Sequence, residues 1–265
     1  MKVSFLRVCS AWFVHLVTAS GAVFGLLSAY AISIHHFIAA FWWMVLTIII
    51  DAFDGFFARL VNVKQVVPKI DGALLDNIVD FFNYSILAAF FVLIIPTLLP
   101  HGWHVTCAVL IVLASCYQFT QADAKTDDHF FKGFPSYWNI TVFYLFFWDM
   151  NEWVNVAVII VLAIATFIPI KYVYPSRMDH LTKNKLLRQG MFLLTLLWGA
   201  ATIGLLWSYP ALNMVYVAVS IGYIIIYLQL SRAISCPSCS FYSISLLFFT
   251  PYIVTDLLAH ALNSG

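Results

Sequence analysis

Charge is what this sequence has least of. Only 9% of its 265 residues are Asp, Glu, Lys or Arg, against 63% apolar; a soluble globular domain carries about a quarter charged residues. With a mean hydropathy of +0.93, a water-soluble globule is excluded and a polytopic membrane protein is left. The 13 Lys and Arg nearly balance the 12 Asp and Glu, so no chain-wide field points to nucleic acid or to an acidic partner. Cysteine is scarce as well. Cys9, Cys107, Cys116, Cys236 and Cys239 include one C-x-x-C pair and no second, too little for a structural zinc site. Without an internal repeat, a low-complexity tract or a linker, residues 1–265 read as one membrane domain.

What is present is a succession of apolar runs. A helix needs roughly 20 residues to cross about 30 Å of hydrocarbon, and runs of that order fall near 10–34, 37–59, 72–97, 103–123, 136–150, 153–171, 190–208 and 211–230. The first lacks a small-residue cleavage pattern and is read as a helix rather than a signal peptide. These runs predict an all-α bundle of about eight transmembrane helices. The tail from 233 to 265 is apolar enough for a further span or an interfacial helix, with Pro251 interrupting either. "SRMDHLTKNKLLRQG", starting at Ser176, reads as a polar loop or a short amphipathic helix on the membrane surface.

Positive charge is missing from every second connection. Lys2 and Arg7 precede the first run; Arg59, Lys64 and Lys69 follow the second; Lys125 and Lys132 follow the fourth. Lys171, Arg177, Lys183, Lys185 and Arg188 follow the sixth, and Arg232 follows the eighth. Lys and Arg in short loops favour the cytoplasmic side, so this distribution predicts both termini of the eight-helix unit inside.

Acids cluster on that same face: Asp51, Asp54, Asp71, Asp76 and Asp80 are five of the twelve. On a helix Asp51, Asp54 and Ala58 share one face, and Gly72, Asp76 and Asp80 share another. Both helices run into one cytoplasmic loop, which predicts a carboxylate site at the cytoplasmic ends of helices two and three. Carboxylates a few ångströms apart in apolar surroundings repel unless a cation joins them, and an all-oxygen donor set suits Mg²⁺, Mn²⁺ or Ca²⁺. Gly55, Ala58, Gly72 and Ala73 leave room for a bulky group near the backbone, while Arg59 offers a planar fork for phosphate. Together they describe a phosphoryl-transfer site for a lipid substrate.

Asp51-x-x-Asp54-Gly55-x-x-Ala58-Arg59 followed by Gly72-x-x-x-Asp76-x-x-x-Asp80 resembles the signature of the CDP-alcohol phosphotransferases, integral membrane enzymes that join a CDP-linked group to an alcohol. The twelve residues 60–71 between the two halves exceed the gap of most members and are similar to that of the bacterial phosphatidylcholine synthase branch, as is "FFKGFPSYWNI" at 130–140. The resemblance implies transfer of a phosphatidyl group from CDP-diacylglycerol to choline with release of CMP, in a bacterial inner membrane. It implies a divalent cofactor, two Mn²⁺ or Mg²⁺ ions, held by Asp51, Asp54 and Asp76, with Asp80 sharing a metal and taking the proton of the alcohol. Gly55, Ala58 and Gly72 would admit the CDP-diacylglycerol, Arg59 would steady a phosphate, and two copies of the chain would pair.

Choline carries a fully methylated nitrogen, which aromatic faces bind better than hydrogen-bonding groups do. Tyr137, Trp138 and Tyr144 lie nearest the cytoplasmic start of the fifth run and are candidates, although Trp and Tyr also gather at membrane interfaces for their own reasons. Asp123, ending the fourth run, is a helix cap, a counter-charge for choline or an indirect support. Another alcohol acceptor such as serine, inositol or glycerol phosphate is the alternative. A cation or proton transporter would spread its acids through the membrane depth and show repeated halves; here the acids crowd one face.

Overall fold

The first apolar run forms α1, Phe5–Ser33, in a computed structural model that describes residues 4–175 and 178–235. Most of its buried stripe, Ala11, Val14, Thr18, Gly21, Gly25 and Ser28 among them, recurs at helical spacing and is made of small side chains. Such a stripe lets neighbouring backbones approach closely where lipid offers no hydrophobic drive. Against it lies α2, Phe37–Val61, and Ser28 Oγ donates to the Ala40 carbonyl at 2.9 Å across the pair. Gly25 is required by contact: a Cβ there would stand 2.1 Å from Asn83 Oδ1 and 2.7 Å from the Phe82 ring.

Asn62, at φ +55°, ends α2 in a left-handed turn. One further helical turn, Val63–Val66, fills part of the long gap, and Val63 and Val67 pack with Ala11 and Val14. Asp71 then caps α3, Gly72–Ile94, accepting from the backbone N–H groups of Ala73 and Leu74, both at 3.1 Å. The middle of α3, Phe81–Ile86, is π-helical. At the opposite end Phe41 contacts Phe91 and Phe143 at centroid separations of 4.8 and 5.2 Å, within the range of favourable aromatic pairs.

The later runs become α4, His104–Thr120; α5, Trp138–Phe147; α6, Glu152–Phe167; α7, Lys185–Ser208; and α8, Met214–Ser235. Among the described residues α1, α2, α3, α7 and α8 are long and apolar enough to cross a membrane, whereas α4, α5 and α6 are shorter apolar helices. The protein is therefore a mostly helical, polytopic membrane protein.

Two features depart from expectation. The first is a sheet: β1, Phe130–Lys132, pairs antiparallel with β2, Lys171–Val173, so the fold is not purely α. Gly133, at φ +74°, permits this because a Cβ there would meet the Thr166 carbonyl oxygen at 2.3 Å. The edge of β2 is satisfied by α8, with Tyr227 Oη donating to the Val173 carbonyl at 2.8 Å and Ser231 Oγ accepting from its N–H at 3.0 Å. The second departure is at 178–190. There is one helical turn, Met178–Leu181, and Lys185 to Gly190 are already the start of α7, capped by Asn184. The tail from 236 onward, with Cys236 and Cys239, lies outside the described residues.

By its internal contacts the chain divides into two units. Among the described residues, one holds those up to 96 with 101–115 and 136–143; the other holds 97–100, 116–135 and those from 144 to 235. The first carries the acid cluster. The second is centred on Phe130, Val173, Met178, Met191 and Tyr223.

Candidate functional site

α2 sets Asp51 and Asp54 one turn apart, and α3 does the same for Asp76 and Asp80. Oxygen atoms of Asp51, Asp76 and Asp80 all lie within 4.8 Å of one another. Asp54 is buried, with Thr18 and Asp76 beside its carboxylate. The four acids share one small space with Thr18, Gly21, Thr47, Asn83 and Tyr84, of about 10 Å³. That is room for about one water-sized body.

Two like charges 4 Å apart repel by about 4 kcal/mol at an effective dielectric constant of 20, so the arrangement needs positive charge. The geometry suits a divalent ion. Ligand oxygens about 2.1 Å from Mg²⁺ stand roughly 3 to 4 Å from each other, and the triad needs only slight closure to reach that spacing. Asp71, counted with the cluster from sequence, has another use: its carboxylate caps α3 and is exposed.

The space is walled by α1. Asn83 Nδ2 donates to the Gly21 carbonyl at 3.2 Å, and Gly72 is pressed against His15, whose Cε1 lies 3.1 Å from where a Cβ would be. Beside it lies a mostly apolar cavity of about 400 Å³, with Phe13, Val17, Phe57 and Val61 in its wall beside Ser10 and the carboxylate of Asp54. Tyr84 Oη donates to Asp51 Oδ2 at 2.7 Å, and the Tyr84 ring lies 5.9 Å from that of Tyr137.

A model of the CDP-alcohol phosphatidyltransferase family matches residues 3–169, more than half the chain. The protein belongs to the CDP-alcohol phosphatidyltransferase family. A phosphatidylcholine synthase of Legionella pneumophila is 50% identical over 84% of this chain and 87% of its own. That of Legionella bozemanae is 47% identical over 79% and 97%, and that of Borreliella burgdorferi 39% identical over 67% and 76%. The chain is thus a membrane-embedded transferase, and its acid triad is the place where a divalent metal could bind.

The other sequence-selected residues of this transferase separate by location. Gly55 lies one turn from Arg59, whose Nη1 is 3.4 Å from the Gly55 Cβ position; Arg59 itself is exposed. Ala58 packs against the Ala11, Val14, Val63 and Val67 cluster. Tyr137 is half-buried beside Tyr84, and Trp138 is completely buried. Tyr144 and Asp123 belong to the second unit. The Tyr144 hydroxyl shares a hydrogen bond with Thr202 Oγ1 at 2.9 Å. Asp123 accepts from Lys132 Nζ at 2.6 Å and from Gln121 Nε2 at 2.8 Å, and Lys132 first, then Gln121, hold its carboxyl below the usual range.

Sequence reasoning missed Tyr84 and Asn83. A signal for Tyr84 was present: Gly72, Asp76, Asp80 and Tyr84 continue one four-residue spacing.

Proposed function

We propose that the protein transfers the phosphatidyl group of CDP-diacylglycerol to choline, giving phosphatidylcholine and CMP. The observation that carries the chemistry is the convergence of Asp51, Asp76 and Asp80 from two helices. The choice of acceptor is supported by relatives at 50% and 47% identity that are named phosphatidylcholine synthase.

In this reading Asp51, Asp54, Asp76 and Asp80 hold two Mn²⁺ or Mg²⁺ ions. When bound, the ions supply positive charge across the pyrophosphate and the departing phosphate. Asp80 takes the proton of the choline hydroxyl; the choline oxygen bonds to the lipid-linked phosphorus as the bond from that phosphorus to the CMP oxygen breaks. Gly55, Ala58 and Gly72 keep side chains away from the nucleotide, and Arg59 steadies a phosphate. Tyr137 and Trp138 form the acceptor side, a role supported for Tyr137 by its contact with Tyr84 beside Asp51. Tyr144 and Asp123 remain candidates by sequence.

We further read all eight apolar helices as spans of one catalytic domain in a bacterial inner membrane, with the site on the cytoplasmic face. The clustering of Arg59, Lys64 and Lys69 beside the site supports that orientation. Pairing of two copies belongs to the same proposal and is checked by light scattering of the purified protein.

The deciding experiment supplies purified protein with CDP-diacylglycerol, Mn²⁺ and, separately, choline, serine, inositol or glycerol phosphate, following CMP and lipid product. Metal-dependent phosphatidylcholine from the choline reaction alone is the expected result. Product from another alcohol would replace the acceptor, and no CMP from folded protein in any reaction would overturn the transfer.

A further inference from the structure

We infer that Tyr84 is a positioning residue for the metal site: its hydroxyl fixes the Asp51 carboxylate in the orientation that completes the acid triad. The inference rests on the proposed metal-binding role of Asp51.

The terminal torsion of an Asp side chain is broad and roughly two-fold, so one carboxylate on a helix does not aim itself. Tyr84 Oη donates to Asp51 Oδ2 at 2.7 Å, and this contact joins α3 to α2 directly across the triad. The Tyr84 side chain is buried, with its ring against Tyr137, so the hydroxyl is presented from a fixed place. Outer hydrogen bonds of this kind orient metal ligands and set their affinity.

The backbone is arranged to deliver that hydroxyl. Four-residue steps drift about 40° per step around an α-helix of 3.6 residues per turn, so Gly72, Asp76, Asp80 and Tyr84 would spiral away from a single line. The π-helical turn Phe81–Ile86 winds more slowly and takes back part of the drift between Asp80 and Tyr84. Such bulges recur at functional sites. Asn83, in the same turn, ties it to α1 through the Gly21 carbonyl, and Gly25 leaves room for Asn83 and Phe82.

Tyr84→Phe keeps the ring and removes only the donor. The test measures Mn²⁺ binding to the purified full-length protein by the loss of free-ion electron paramagnetic resonance signal, alongside the melting temperature in EDTA. Tyr84→Phe is expected to weaken Mn²⁺ binding about 10- to 100-fold with little change of the metal-free melting temperature. The Mn²⁺ concentration for half-maximal CMP release should rise in step, most of the rate returning at saturating metal. In the Asp51→Asn background the same substitution should change Mn²⁺ binding no further. Wild-type affinity in Tyr84→Phe, or an equal loss in both backgrounds, would overturn the role of Tyr84 while leaving the metal site standing. Absence of Mn²⁺ binding by the wild-type protein would overturn both.

Discussion

The two units hold their acids in opposite ways. In the second, Asp123 and Asp128 are each clasped by a lysine, Lys132 and Lys171, at exposed positions. In the first, Asp51 is held by a neutral tyrosine hydroxyl, Asp54 is buried against a second carboxylate, and three acids crowd within 4.8 Å. Exposed ion pairs contribute little and are screened by salt. Like charges gathered in an apolar bundle oppose folding, and acids in such places mark function. A carboxylate alone therefore does not identify a site in this protein; the sign of its neighbours does.

The largest effect should come from Asp80→Asn. Loss of a general base removes about 10²- to 10⁴-fold of rate, and CMP release should fall at least that far. If the acids repel as the geometry requires, melting in EDTA should show the variant as stable as the wild-type protein or more so. A lower melting temperature would mean Asp80 supports the fold instead.

Metal comes next. An ion present at 100 times its dissociation constant stabilises a protein by about 2.7 kcal/mol, so Mn²⁺ should raise the melting temperature of the wild-type protein. Asp51→Asn should shrink that rise. An unchanged rise would remove Asp51 from the site.

Tyr137→Ala should act on one substrate. A cation–π contact of about 0.5 to 2 kcal/mol corresponds to a rise of about 2- to 30-fold in the KM for choline, with the KM for CDP-diacylglycerol unmoved. Equal changes in both constants would assign Tyr137 to packing.

The smallest effect belongs to Asp128. Lys171, and after it Thr126, hold its carboxyl below the usual range. Its pair is at full strength above the unfolded value of about 3.9 and is lost as pH falls through the lowered folded one. Asp128→Asn should leave turnover unchanged, cost only a little stability at neutral pH because the pair is exposed, and flatten the loss of stability seen in melting curves as pH falls below about 4.

Much of this was legible in advance, for local reasons. Apolar runs long enough to bury their own backbone polar groups had to become helices, and the four-residue spacing of Gly72, Asp76 and Asp80 had to place them on one face. Asp71 shows where such reasoning stops. It lies among the same acids, yet it sits just before the helix and its side chain caps it. The strands were illegible because β1 and β2 are three residues each and find one another across forty positions.

The sequence by itself determined the helices, the gathering of Lys and Arg in alternate connections, and the ordered acids that resemble one enzyme family, because each depends on neighbours a few residues away. Only the tertiary structure decided that Asp51, Asp76 and Asp80 form the tight triad while Asp54 turns inward, and that a tyrosine on a π-helical turn reaches across to hold Asp51. Those outcomes depend on how closely α1, α2 and α3 approach, which is set by small residues and contacts far apart in the chain that no local periodicity encodes.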